Sequence, residues 1–135
     1  MSLYLLDTNV ISQFVKSKAS RHAIEKLRHL HVDDVCTSIV SYAEVLFGLV
    51  RAGRPPRLSQ AVENFFQTVT VRDWDENTAH AYAGLRAASS SQGITIAPLD
   101  LMIAAQALAA GAVLVTNDSA MKRLTPWLPV EDWTA

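Results

Sequence analysis

The chain has 135 residues, 50% of them hydrophobic and 19% charged, with 12 basic against 13 acidic side chains and a formal charge of −1. Residues 1–135 therefore read as one domain with enough apolar chain to bury a core, which excludes a disordered polymer and a nucleic-acid binder that works by bulk positive charge, though not a local basic patch. A single cysteine, Cys36, excludes an internal disulfide and a cysteine-built zinc site, so the expected compartment is a reducing cytoplasm and Cys36 reads as a small buried hydrophobe.

Taken in order, Leu3 to Leu6 reads as a short buried strand, and Thr8 to about Val15 as a helix. Ser20 then caps a second helix, "RHAIEKLRHL", with Ala23, Leu27 and Leu30 on one stripe. "DVCTS" is a second strand, and the apolar helix "IVSYAEVLFGLV" follows it to near Gly53. "PPRLSQAVENFFQTV" reads as helix and "TVTV" as a third strand. Asp75 is placed to cap "ENTAHAYAGLRAASSSQ", which stops at Gly93. Pro98 precedes the helix "LDLMIAAQALAAG", "AVLVT" is a fourth strand, and "VEDW" is placed to add a short fifth. The nearest approach to a membrane span, "IAPLDLMIAAQALAAGAVLV", is broken by Asp100, Gln106 and Gly111, so no membrane partner is expected.

Strands alternating with helices predict an α/β/α sandwich around a mainly parallel sheet of four or five strands, with the functional crevice beyond the carboxyl ends of the strands. Most acids lie in polar turns or on polar helix faces. Four do not: Asp7 follows "LYLL", Glu44 sits in "IVSYAEVLFGLV", Asp100 in "APLDLMIAAQA", and Asp118 follows "AVLVTN". From Asp100 a helix of about ten residues rises ~15 Å, and the following strand returns ~16 Å, which brings Asp100 and Asp118 to one sheet edge. Parallel topology places Asp7 there too, and Glu44, a turn and a half into its helix, is long enough to reach. Asp7 could equally cap the next helix, and Asp100 could be a first-turn acid favoured by the helix dipole. "TND" at 116–118 could be an ordinary turn. Glu44 has no such alternative in mid-helix. Four converging carboxylates need cations, and hard divalent ions such as Mg²⁺ or Mn²⁺ take oxygen ligands and support phosphodiester hydrolysis.

Here the sequence resembles a known family. "LLDTNVIS", "TSIVSYAEVLFGL", "GLRAASSSQG" and "LDLMIAAQALAAGAVLVTND" are similar to the PIN-domain ribonucleases, in particular the VapC-type toxins of bacterial toxin–antitoxin pairs. The resemblance implies a PIN-like fold and an Mg²⁺- or Mn²⁺-dependent endoribonuclease, usually a homodimer, held inactive by a cognate VapB-type antitoxin. It also suggests one structured RNA, such as a tRNA or a ribosomal loop, as substrate. By position Asp7, Glu44, Asp100 and Asp118 match the family's acidic quartet, with Asp7 and Asp100 the principal metal ligands. Thr116 matches the small polar residue near the site, Asn9 and Asn117 are placed to orient carboxylates or water, and Arg86 lies where the family often carries an arginine. That arginine could instead pair only with a neighbouring acid. Downstream the pattern departs: Asp118 is followed by "SAMKRL", with no acid before Glu131, which leaves a fifth acidic ligand unsupported.

Other features weigh less. His22, His29, His31 and His80 lack metal-ligand spacing and read as surface or packing residues. Arg51, Arg54 and Arg57, and separately Lys122 and Arg123, could contact RNA phosphates or simply end helices in solvent. A stripe through Val40 and Phe47 is a candidate groove for an antitoxin helix, although core packing explains most of it. The rival readings are an aspartyl-phosphate phosphatase, which needs a second acid where Asn9 stands, and a non-catalytic α/β interaction module.

Overall fold

The computed structural model describes residues 2–134. Five strands, β1 (Tyr4–Leu6), β2 (Val35–Ser38), β3 (Thr70–Arg72), β4 (Val113–Val115) and β5 (Val130–Glu131), form one parallel sheet in the order β3-β2-β1-β4-β5. Seven helices among the described residues connect them: α1 (Thr8–Val15), α2 (Arg21–Arg28), α3 (Ile39–Arg51), α4 (Pro56–Phe66), α5 (Glu76–Ser91), α6 (Pro98–Ala110) and α7 (Ser119–Lys122). None is long and apolar enough to cross a membrane.

The layers follow from the two-residue period of a strand. Leu5, Cys36 and Leu114 are neighbours in register and join one apolar cluster with Leu101, Ile103 and Ala104 of α6. Leu6 and Val115 point the other way, into a cluster with Val10 and Ile11 of α1 and Val62 and Phe65 of α4. β1 is central and buried on both faces, which is why it reads as an unbroken apolar run. The expected α/β/α sandwich is therefore observed, with all five strands parallel.

Local differences from the sequence reading have simple causes. α2 ends at Arg28, and Leu30 packs against the core from beyond the helix. A 3₁₀ turn over Val32–Asp34 precedes β2, so the second strand begins at Val35. β3 starts at Thr70 because Val69, 6% exposed, turns into the core before the edge strand begins. Pro56 and Pro98 open α4 and α6 from within, at positions where a missing N–H costs nothing. Ser20 and Asp75 cap their helices as expected. Gly111 ends α6 at φ +66, a left-handed conformation that glycine adopts without strain.

Candidate active site

The register aligns Leu6 with Thr37 and with Val115, so the next residues, Asp7, Ser38 and Thr116, emerge together at the carboxyl edge of the sheet. Asp7 is both of the things its sequence context allows. One carboxylate oxygen caps α1 by accepting the Val10 N–H at 2.9 Å, and the other accepts the Thr116 hydroxyl at 2.5 Å. Although it caps a helix, Asp7 is only 2% exposed. Burial, with smaller contributions from the charges of Asp100 and Asp118, pushes its carboxyl up to about 6, against the pull of the two hydrogen bonds.

Asp100 stands in the first turn of α6 and is half-buried. Burial raises its carboxyl as well, followed by the charges of Asp118 and Glu44. The quartet thus shares one electrostatic neighbourhood: Asp7 feels Asp100 and Asp118, and Asp100 feels Asp118 and Glu44. Asp118 also caps a helix, accepting the Met121 N–H at 2.9 Å, and its own N–H donates to the Thr116 hydroxyl oxygen at 3.0 Å. Thr116 therefore joins Asp7 to the backbone of Asp118.

Two residues absent from the sequence reading set Glu44's surroundings: Thr8 bonds it, and Ser41 bonds Thr8. Thr8 Oγ1 lies 2.6 Å from Glu44 Oε1 and 3.0 Å from Ser41 Oγ. With one proton to give, Thr8 donates to the carboxylate and accepts from the serine. The available signals were that Thr8 adjoins Asp7 and that Ser41 precedes Glu44 by one helical turn; the contact itself spans 36 residues.

The supporting positions divide. Asn9, on the first turn of α1, and Asn117, between Thr116 and Asp118, line one hollow beside the quartet. Arg86 is exposed on α5 and turns to Tyr82, donating to its hydroxyl at 3.0 Å with the guanidinium 5.9 Å from the ring centre. Its partner is an aromatic residue rather than an acid. Glu131 accepts from the Trp133 indole and lies 3.7 Å from Lys26. His29 and His31 sit beside Glu25 and Asp33 on the surface.

Among the described residues no three His, Cys, Asp or Glu side chains are grouped closely enough to hold one ion by themselves. The donors nonetheless fit a hard divalent cation, which takes carboxylate oxygens, needs only one or two of them and keeps several waters. A soft or borderline metal would want thiolate or imidazole, and the quartet offers neither.

Known proteins share this sequence pattern and this fold. Residues 4–125 match the PIN domain family. The tRNA(fMet)-specific endonuclease VapC of Salmonella typhimurium is 31% identical over 133 residues, covering 98% of this chain and 99% of the relative. The fold superposes on the DNA-bound VapBC complex of the same organism with a TM-score of 0.87 at 31% identity, covering 98% of this chain and 99% of that one. VapBC2 of Rickettsia felis, bound to a fragment of promoter DNA, gives a TM-score of 0.87 at 26% identity over 97% of this chain and 98% of that one. The chain belongs to the PIN-domain family, in its VapC group.

Proposed function

We propose that the chain is the ribonuclease toxin of a VapBC pair and that it hydrolyses RNA at the sheet edge that Asp7, Glu44, Asp100 and Asp118 share. The observation that carries the reading is Asp7, a carboxylate 2% exposed whose charge is disfavoured by burial and by two neighbouring acids. A cation turns that unfavourable arrangement into a binding site. Mg²⁺ or Mn²⁺, when bound, supplies the charge compensation and the acidity that let a water attack a phosphodiester at neutral pH.

The chain's own residues perform the positioning. Thr116 and the Val10 N–H each fix one oxygen of Asp7 at the end of β1. Thr8, on α1, holds Glu44 on α3, and Ser41 in turn holds Thr8. The Met121 N–H fixes one oxygen of Asp118 and leaves the other for ligation. In this reading Asp7 and Asp100 are the principal ligands, Glu44 and Asp118 complete the set, and Asn9 and Asn117 stand ready to orient water or substrate.

The Salmonella relative is named for tRNA(fMet), which makes initiator tRNA the first substrate to examine. The superposed structures are VapBC complexes, and the partner of this chain is a VapB-type antitoxin. A homodimer belongs to the same reading. Phe47 and Val50, 64% and 50% exposed on α3, offer apolar surface for such contacts. Induced expression in a bacterial host tests the proposal. Growth arrest with loss of intact initiator tRNA, relieved by Asp7→Asn, is the expected result. Unimpeded growth with the cellular RNA intact contradicts it.

A further inference from the structure

α1 carries a polar face of which the catalytic reading uses only Asn9. Its buried side is Val10, Ile11 and Val15. Asn9, Ser12, Gln13 and Lys16 follow the i, i+3, i+4, i+7 spacing that puts side chains on one face of a helix. With Lys18 and Asn117 they line a single hollow of about 370 Å³, all six polar and none acidic. That size falls within the ~300–1,000 Å³ of pockets that hold small ligands. The hollow adjoins the quartet through the chain itself, since Asn9 is two residues from Asp7 and Asn117 is next to Asp118.

The turn after α1 is shaped to bring both lysines to this place. Ser17 sits at φ +58, a left-handed conformation usually left to glycine. Its N–H donates to the Phe14 carbonyl at 3.2 Å, and the Lys18 N–H folds back to the Gln13 carbonyl at 2.7 Å. This pair of bonds closes the helix and returns the chain over its own last turn. Lys16 and Lys18 are both exposed. The lysine and arginine ion pairs among the described residues use Lys26, Arg28 and Lys122, so the two lysines keep their charge for another partner. Lys16 also borders a smaller hollow that Glu44 lines.

We propose that this hollow is the subsite for the RNA nucleotides flanking the scissile phosphate, with Lys16 and Lys18 on the backbone phosphates and the amides of Asn9, Gln13 and Asn117 reading a base edge. The assignment rests on the ribonuclease reading above. Ammonium groups supply phosphate attraction without sequence preference, while side-chain amides offer the paired donor and acceptor that discriminate an unstacked base. The subsite thus places strand capture and base selection on the same helix that Asp7 caps.

The test separates this assignment from catalysis. Binding of a labelled single-stranded RNA of roughly a dozen nucleotides is measured by fluorescence anisotropy across a salt series, in the Asp7→Asn background so that the RNA stays intact. Adding Lys16→Gln with Lys18→Gln is expected to lower the slope of log affinity against log salt by about 1.4, at ~0.7 for each phosphate left without its ammonium partner. Arg21→Gln with Lys26→Gln, on α2, is expected to leave the slope unchanged. An unchanged slope in the Lys16/Lys18 pair, or an equal fall in the α2 pair, overturns the subsite. With residue 7 restored to Asp, the Lys16/Lys18 pair is expected to raise KM and spare kcat, and Asn9→Ala or Gln13→Ala to change which sequences are cut. RNA that binds through the lysines but is never cleaved refutes the ribonuclease reading and leaves the subsite standing. Cleavage with an unaltered KM in the lysine pair does the reverse.

Discussion

Thr116 donates its hydroxyl proton to Asp7 across 2.5 Å although 109 residues separate them, and it accepts the Asp118 N–H on the same oxygen. One side chain at the end of β4 therefore ties the acid at the end of β1 to the acid that opens α7. Thr116→Val keeps the shape and removes both bonds. The Asp118 N–H and the buried Asp7 carboxylate are then each short of a partner, at a cost of about 1–3 kcal/mol in stability. Outer hydrogen bonds of this kind typically support metal affinity by ~10–100-fold, and a loss of that size is expected for Mn²⁺ by calorimetry. Thr116→Ser retains the hydroxyl and is expected to restore most of it.

The raised carboxyl of Asp7 makes the metal-free protein more stable in mild acid. Its pKa moves from 3.8 to about 6, so between those values the folded state binds more protons than the unfolded one. Stability must then fall as pH climbs through that window and level off above it. A shift of this size corresponds to about 3 kcal/mol. Urea denaturation in EDTA is expected to give a higher midpoint near pH ~5 than near pH ~7.5. Asp7→Asn should flatten much of that difference, with the part due to Asp100 remaining. The same slope in wild type and variant contradicts the assignment.

The proposed cation would bind the folded state alone, and a ligand of that kind raises the melting temperature. At a hundredfold excess over its Kd the gain is about 2.7 kcal/mol. Millimolar Mg²⁺ or Mn²⁺ is expected to raise the melting temperature of the unmutated protein. Asp100→Asn, which removes one of the proposed ligands, should weaken the response.

Trp133, close to the C-terminus, is part of the core. Trp133 is 1% exposed, packs 5.7 Å from the Tyr4 ring, and accepts the Ser20 hydroxyl on its carbonyl. Trp133→Ala is expected to cost about 3–5 kcal/mol in stability, as for other buried large-to-small changes. An unaltered urea midpoint contradicts a core role for Trp133.

Much of this was legible in the sequence because each acid interrupts an apolar run. Asp7 after "LYLL" and Glu44 amid "IVSYAEVLFGLV" are conspicuous in that way, and parallel topology gives them a common edge. What escaped has a physical reason in each case. α7 is four residues long and shows no periodicity, so only its cap, Asp118, marks it. Thr8 reads only as the first residue of a helix until folding brings α3 beside α1. Arg86 follows the spacing of its own helix to Tyr82, four residues away, a pairing that a search for acids misses. The hollow along α1 needs the turn at Ser17, and a serine at positive φ leaves no trace in the sequence.

The most direct test is cleavage of total cellular RNA by the purified protein, with Mg²⁺ or Mn²⁺, with EDTA, and with Asp7→Asn in parallel. A discrete fragment that disappears with EDTA and with the variant is the predicted result. Intact RNA under every condition, or cleavage that persists in Asp7→Asn, contradicts a metal nuclease centred on the acids at this sheet edge.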